Sequence, residues 1–382
     1  MVHATMKDSR PVIAQVLHRM YVAGAEVLAA DLARRLGGRY RFVFLCLDEI
    51  GPLGHTLGRE GIGVFDLERR PGLDRRVARR VRQIINVHRV ALLHAHQYTP
   101  FFYAAVARGL RRQPAMIFTE HGRHYPDHRK LKRVVANRFL IGRADRVTAV
   151  ARFVKQALVN HEGINPDRIE VIHNGIDPAQ FDLVDRDRVR AVVRNELGLR
   201  RDQPVALQVA RFHPVKDHVT SLRAFARVVV DVSDAVLLLA GAGRMRSEMQ
   251  ALASQLGLGD RVRFLGERSD VADLMAAADV FVLSSLSEGA SVTLLEAMGA
   301  KLPIAATAVG GNEEVVAHDE SGLLSPRGDV NSLGANLAAL LRSADLRARM
   351  GHAGHARLLD QFTQNQMHER YVALYDQMLK RG

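Results

Sequence analysis

Short runs that are apolar at every position alternate with longer stretches of helical periodicity along this chain, and the pattern occurs twice. In the first half the strand candidates are Pro11–Leu17, Arg41–Leu47, Ala91–His94, Ala115–Thr119, Arg146–Val150 and Ile169–Ile172, with helices such as Ala25–Leu36, Leu73–His88 and Tyr98–Arg112 between them. In the second half they are Pro204–Val209, Ala235–Ala240, Arg261–Leu265, Val280–Ser284 and Leu302–Ala306, with helices that include His218–Val230, Arg246–Leu256 and Val292–Met298. A strand with no polar face suits a parallel sheet covered on both sides, and regular alternation with helices means βαβ units. A chain of 382 residues is long enough for two such cores. The sequence therefore predicts an α/β fold of two doubly wound, Rossmann-like domains. The seam is expected at His173–Pro178, where Asn174-Gly175 and Asp177-Pro178 mark a turn. This gives domains over residues 1–178 and 179–364. Residues 365–382 form a last helix, whose apolar Met367, Tyr371, Leu374, Tyr375 and Met378 have helical spacing and must pack on something.

The charge is unevenly divided. Residues 1–180 hold 30 Lys+Arg against 16 Asp+Glu, a balance of +14, while residues 181–382 balance at −1. Arginines gather at positions 69, 70, 75, 76, 79, 80 and 82, and a second cluster runs Arg129, Lys130, Lys132, Arg133. Three readings stay open: a solvated helix face, a surface for anionic lipid or a lipid-diphosphate acceptor, and nucleic acid. Nucleic acid is the poorest of the three, because the chain has no Trp, only 5% aromatic residues and no zinc, helix-turn-helix or RNA-binding signature. The single cysteine, Cys46, sits in an apolar run and reads as a core residue of a protein kept in a reducing compartment. The polar start and the absence of any eighteen-residue apolar run lead to the expectation of a cytoplasmic protein with no signal peptide and no membrane span.

In open parallel sheets ligands bind beyond the carboxyl ends of strands, so the segments that follow strands carry the candidates. After Pro204–Val209 come Arg211 and Lys216, a planar fork and a mobile point charge that together suit a diphosphate. After Val280–Ser284 comes Ser287-Glu288-Gly289-Ala290-Ser291-Val292-Thr293, then Glu296. Small residues there open a helix whose first amides, near Ser291 to Thr293, can hold an anion. Eight residues of helix rise about 12 Å, too far for a hydrolase carboxylate pair, which stands roughly 5–9.5 Å apart. Glu288 and Glu296 instead suit two hydroxyl-rich groups separated by a phosphate bridge, a sugar and a ribose. Gly310-Gly311 after the next strand permits close backbone approach. Gly241-Ala242-Gly243 imitates a dinucleotide fingerprint, but Arg246 stands where the third glycine belongs, so a plain strand-to-helix turn is the better reading. Arg268, in a turn after a strand, is a candidate contact to the base.

Taken together these residues resemble the donor site of the family-4 retaining glycosyltransferases of the GT-B fold, over nearly the whole chain. Gly24-Ala25-Glu26 resembles the family's acceptor-side glycine loop, Thr119-Glu120-His121-Gly122 its histidine loop, and Asn174-Gly175-Ile176-Asp177 its interdomain motif. The resemblance implies two domains face to face across a cleft, with the last helix packed back on the first. It implies Arg211 and Lys216 on the donor diphosphate, Glu288 on hydroxyls of the transferred sugar and Glu296 on the ribose. It also implies phosphate oxygens on the amides near Ser291 to Thr293, with Gly289, Ala290, Ser291, Val292 and Thr293 all in the donor-binding loop, and His121 facing the sugar. Anomeric configuration would be retained without a metal or cofactor. Three positions depart from the family pattern: Ala23 where a second glycine is common, Glu313 where proline is common, and Ala151 where serine is common.

The expected activity is transfer of a sugar from a nucleotide-diphosphate donor, UDP- or GDP-linked, to a glycan or lipid-linked acceptor in cell-surface polysaccharide or glycolipid synthesis. Arg211, Lys216 and the helix start would stabilise the leaving phosphate, which in a front-face displacement takes the acceptor proton. The expected place is the cytoplasm, including the inner face of its membrane, with no nucleic acid as partner. The alternatives are another enzyme of this architecture, such as a sugar-nucleotide epimerase or an α-glucan phosphorylase, and a non-catalytic protein that binds anionic surfaces.

Overall fold

The computed structural model describes residues 8–21, 24–123 and 125–380. It divides into two compact units. One contains the chain up to His121, His128–Ile172 and the residues from His368 onward; the other contains Gly122–Asp127 and His173–Met367. The sequence places the seam after Pro178, and the units part six residues earlier, at the end of the last strand of the first sheet.

The first unit is built on seven parallel strands: β1 (Val12–Arg19), β2 (Arg41–Glu49), β3 (Gly63–Asp66), β4 (Val90–His96), β5 (Ala115–Glu120), β6 (Arg146–Ala149) and β7 (Ile169–Val171). Their order is β3-β2-β1-β4-β5-β6-β7. The second unit has six parallel strands: β8 (Val205–Val209), β9 (Val236–Ala240), β10 (Val262–Gly266), β11 (Val280–Leu283), β12 (Ile304–Thr307) and β13 (Gly322–Ser325), in the order β10-β9-β8-β11-β12-β13. Both orders reverse direction beside the first strand of their unit, the doubly wound arrangement. The two strands absent from the sequence reading, β3 and β13, are four-residue edge strands beginning on glycine. An edge strand is covered less and needs less apolar sequence, so it leaves a weak signature.

The apolar runs are explained by burial on both faces. In the second unit Leu207, Leu238, Phe281 and Leu283 enter one core cluster, while their neighbours Ala206, Leu237, Leu239, Val280 and Val282 enter another. Successive strand residues point to opposite faces, so helices on both sides demand apolar residues at every position. Each buried Val, Leu, Ile or Phe contributes roughly 1.5–3 kcal/mol.

The last helix, Gln364–Leu379, buries Met367, Tyr371, Leu374, Tyr375 and Met378, each at 4% exposure or less. From His368 on it belongs to the first unit, where the Tyr40 hydroxyl donates to Asp376 at 2.7 Å and His368 meets Asp31.

The Asn174-Gly175-Ile176-Asp177 segment has a local physical reading. Ile176 N–H donates to Phe362 C=O at 3.1 Å, and Gln364 N–H returns to Ile176 C=O at 2.8 Å. That pairing brings the Gly175 backbone so close that a Cβ there would stand 2.3 Å from the Thr363 carbonyl oxygen. Asp177 caps the following short turn through Ala179 N–H, and Asn174 Nδ2 donates to the Ala290 carbonyl at 3.3 Å. We expect Gly175→Ala to destabilise the chain by about 1–3 kcal/mol through overpacking, measured as a lower urea midpoint at unchanged m-value. A midpoint equal to wild type would contradict the close approach.

Candidate active site

The loops that follow β8, β11 and β12 lie side by side because these three strands are neighbours in the sheet. The order reverses between β8 and β11, which opens a crevice at their carboxyl ends. Lys216 arrives from the β8 loop and Glu288 from the β11 loop, and the Lys216 Nζ donates to Glu288 Oε1 at 2.5 Å. The Ser285 hydroxyl donates to the same carboxylate oxygen.

Each loop is held by backbone and hydroxyl groups. Ser284, fully buried at the end of β11, donates to the carbonyls of Asp217 (2.8 Å) and Lys216 (3.1 Å), and Leu286 N–H donates to Val215 C=O at 2.7 Å. Asp217, with φ of 46°, caps the helix His218–Asp231 by accepting from Thr220. From the β12 side, Thr307 Oγ1 donates to Ser285 C=O at 2.7 Å and Gly311 N–H donates to Glu288 C=O at 3.2 Å. The Gly310-Gly311 pair therefore supports the Glu288 loop from behind. Glu313, which takes the position where proline is common, is exposed to solvent.

Gly241-Ala242-Gly243 has its own task, unrelated to a dinucleotide. Phe212 N–H donates to Ala242 C=O at 2.8 Å, and a Cβ on Gly241 or Gly243 would fall 2.1 Å from Ala210 O or 2.4 Å from Phe212 O. Their φ values of +145° and +149° also suit glycine. This backbone-on-backbone packing presents Arg211 at the surface, where its guanidinium makes no ion pair among the described residues. Burial and the charges of Arg211, Arg244 and Lys216 depress the His213 pKa. Arg244 is thus a third cation near the Arg211 loop, one that the sequence reading passed over because it follows the turn rather than the strand.

Beyond Glu288, the helix Val292–Gly299 starts at Ser291 with no side-chain cap. Ser291 Oγ instead lies 3.0 Å from Thr293 Oγ1, and among the described residues no side chain takes the amides of Val292 and Thr293. Cations, open amides and a hydrogen-bonded carboxylate stand around one crevice. Such an arrangement suits an anion joined to a polyhydroxyl group.

The comparisons with known proteins agree with this geometry. Residues 22–180 match the family described as Glycosyltransferase Family 4, and residues 189–357 match Glycosyl transferases group 1. The chain belongs to glycosyltransferase family 4. It is 28% identical over 376 residues to an N-acetyl-alpha-D-glucosaminyl L-malate synthase of Bacillus anthracis, covering 94% of this chain and 95% of that one. It is 33% identical over 239 residues to a D-inositol 3-phosphate glycosyltransferase of Streptomyces scabiei, covering 59% of this chain and 52% of that protein. Among solved structures, a glycosyltransferase from Rickettsia africae ESF-5 superposes with a TM-score of 0.85 at 20% identity, over 98% of this chain and 100% of the other. Anabaena Alr3699/HepE in complex with UDP-glucose gives 0.84 at 22% identity, over 96% and 99%. The fold of this glycosyltransferase is GT-B.

The remaining candidates fall as follows. Gly289 is buried and Ala290 receives the Asn174 hydrogen bond, so the loop is tied to its own unit on both sides. Arg268 is turned to its own neighbourhood: it grips Asp270 through two bonds of 2.8 and 2.5 Å and reaches Glu196 at 3.1 Å. A contact to a base would require it to release part of that grip. Gly24 and Ala25 open the first helix, Gly24–Arg35, and Ala23 lies outside the described residues. Ala151 is buried at the start of the helix Arg152–Glu162, which has no side-chain cap there. His121 follows β5 in the first unit, with Nε2 2.8 Å from His96 Nδ1.

Glu296 lies one turn into its helix with no hydrogen bond to its carboxylate among the described residues, and burial pushes its pKa up to about 7. The unfolded chain releases this proton near 4.5, so between pH 4.5 and 7 the folded glycosyltransferase holds a proton that the unfolded chain has lost. Stability therefore falls as pH rises through that window, and the full penalty is present above pH 7. Glu296→Gln is expected to stabilise the unliganded protein at pH 8 by at most about 3 kcal/mol. Near pH 4 it should leave the melting temperature unchanged. Equal melting temperatures of the two proteins at pH 8 would contradict the buried carboxylate.

Proposed function

We propose that this glycosyltransferase uses a nucleotide-diphosphate sugar, UDP- or GDP-linked, and transfers the sugar with retention of anomeric configuration to a glycan or lipid-linked acceptor, in polysaccharide or glycolipid synthesis. The Lys216–Glu288 pair carries the reading. In the free protein these charges satisfy each other. A donor exchanges that contact for two, its diphosphate taking Lys216 and Arg211 while its sugar hydroxyls donate to Glu288. Glu296 accepts from the ribose hydroxyls, and His121 is the first unit's candidate contact to the sugar. The similar proteins named above include an N-acetyl-alpha-D-glucosaminyl L-malate synthase, a D-inositol 3-phosphate glycosyltransferase and one in complex with UDP-glucose, which supports a nucleotide-sugar donor.

The chemistry follows from these roles. Breaking the anomeric bond leaves negative charge on the phosphate and positive charge on the sugar. Two fixed cations and the helix amides address the first, so the charge balance calls for neither a metal ion nor a cofactor. With a donor bound, Glu288 is taken up by the hydroxyls of the sugar, so this reading assigns it no attack on the anomeric carbon. Front-face displacement, with the leaving phosphate accepting the acceptor's proton, fits this arrangement. Arg211→Ala should lower the transfer rate at least about a hundredfold, the loss seen when a transition-state donor is removed, and Glu288→Gln, which removes the charge that accepts from the sugar hydroxyls, should lower it as well. Wild-type rates in both variants, with purified donor, would overturn the site. A thermal-shift panel of UDP, GDP and ADP sugars identifies the base, because the bound donor raises the melting temperature by mass action.

A specific observation also supports a peripheral place at an anionic membrane of the cytoplasm. Much of the arginine cluster at 69–82 is used within the fold: Arg69 pairs with Asp48, Arg76 with Asp74, Arg80 with Glu68 and the Leu67 carbonyl, and Arg82 with the Ala107 carbonyl. The helix Leu131–Leu140 is different. Leu131, Val135 and Phe139, one above another at four-residue intervals, are 67%, 56% and 70% exposed. Arg129, Lys130, Lys132 and Arg138 beside them are exposed cations. An apolar stripe flanked by cations is the pattern of a helix lying in a lipid interface. Vesicles rich in anionic lipid should bind the protein at low salt and release it as salt rises. Phe139→Ser with Val135→Ser should weaken that binding, and no binding at low salt would contradict the surface.

A further inference from the structure

The first unit holds a line of buried polar side chains that donor binding does not use. Gln15, His94, His96, Thr119, Thr148 and Tyr375 are each no more than 1% exposed. They are joined end to end. His121 Nε2 lies 2.8 Å from His96 Nδ1, and His96 Nε2 lies 2.7 Å from Gln15 Oε1. Gln15 Nε2 donates to the Tyr375 hydroxyl at 3.2 Å, and that hydroxyl lies 2.7 Å from His94 Nδ1. His94 Nε2 continues to Thr119 Oγ1 at 2.7 Å, which meets Thr148 Oγ1 at 2.5 Å. The line therefore crosses from β5 through β4 and β1 to the last helix and back, and it ends at one histidine of the β5 loop.

A neutral imidazole has one N–H and one lone pair, so it passes the direction of a hydrogen-bond chain through itself. Burial pushes His94 down to about 3 and His121 down to about 4, and with its histidine neighbours holds His96 well below its ordinary value, so all three are neutral at physiological pH. The Gln15 amide then sets the direction, because its NH2 faces Tyr375 and its carbonyl faces His96. His96 must donate through Nε2, which leaves Nδ1 as an acceptor. Its partner, His121 Nε2, must carry the proton. On the other side, Tyr375 donates to His94 Nδ1, and His94 Nε2–H donates to Thr119. All the bonds run one way with no donor facing a donor, and reversing one bond would require reversing every other, since an unpaired buried donor is costly.

We propose that Gln15, His96 and Tyr375 are positioning residues that fix His121 as its Nε2–H tautomer, so that it presents a bare Nδ1 to a hydroxyl of the transferred sugar. The proposal rests on the reading of His121 as a sugar contact. A lone pair that accepts from a sugar hydroxyl leaves more electron density on that oxygen, which favours the positive charge that develops at the anomeric carbon. An N–H donor in its place would withdraw density and do the reverse. The buried line is thus a way to choose between the two faces of one imidazole from three elements distant in sequence.

Nitrogen-15 NMR of histidine side chains in the full-length wild-type protein reads the tautomer without any turnover. His121 should show a protonated Nε2 and an unprotonated Nδ1; a protonated Nδ1 overturns the proposal. Two variants then separate positioning from packing. His96→Phe keeps an aromatic ring against His121 but removes the acceptor, whereas His96→Asn keeps an acceptor where Nδ1 stood. His96→Phe should lower kcat at least roughly tenfold, as loss of a histidine's orienting partner does, with donor KM little changed, and His96→Asn should recover most of the loss. Equal kcat in the two variants would mean that His96 only packs, and the proposal falls. The sugar-contact reading is tested apart from this: wild-type kcat in His121→Ala would sink that reading even with the tautomer as assigned.

Discussion

The ion pair between Lys216 and Glu288 depends on three parallel strands ending at the same edge. Neither residue is held by its own sequence neighbours alone. Ser284 anchors the lysine loop to β11, Thr307 anchors the Ser285 carbonyl from β12, and Gly311 supports the Glu288 carbonyl. Those contacts exist only if β8, β11 and β12 are adjacent and in register. The glycines at 241 and 243 add the fourth side, because only residues without a Cβ let the β9 loop lie flat against Arg211 and Phe212. The apolar core of the second unit thus determines the chemistry at its rim: it fixes the strand order, and the strand order decides which side chains meet.

Two groups of polar side chains are held in different ways. In the second unit Glu288, in the loop after β11, is neutralised by a lysine, and Glu296, in the helix that follows, is left to a raised pKa. In the first unit one line of polar groups runs through the interior as a neutral chain, with both ring nitrogens of His94 and His96 satisfied and His121 held through Nε2. Charge at a rim can be exchanged for a ligand's charge. A neutral buried chain cannot exchange partners, and it serves to hold one geometry.

Much of the architecture was legible because the core imposes itself on sequence at every strand position. The strand boundaries differ by at most two residues, and the misses, Gly63–Asp66 and Gly322–Ser325, are edge strands. The cations and carboxylates of the candidate site were legible for a related reason, since they follow strands. What supports them was not. Ser284 and Thr307 act through contacts across the sheet, and their sequence neighbours carry no sign of it. Arg268 shows the converse: its position after a strand invited a ligand, whereas Asp270 and Glu196 already take its hydrogen bonds. Gln15, His96 and Tyr375 lay beyond sequence reasoning altogether, because the residues of that line are separated by up to 360 positions.

The central claim is that the donor takes Lys216 away from Glu288. A crystal structure of this chain with a nucleotide-diphosphate sugar bound tests it most directly. The account predicts Lys216 Nζ on a phosphate oxygen, Glu288 accepting from the hydroxyls of the sugar, and the Lys216–Glu288 contact opened. A donor bound with that ion pair intact, or with its diphosphate away from Arg211 and Lys216, would contradict it.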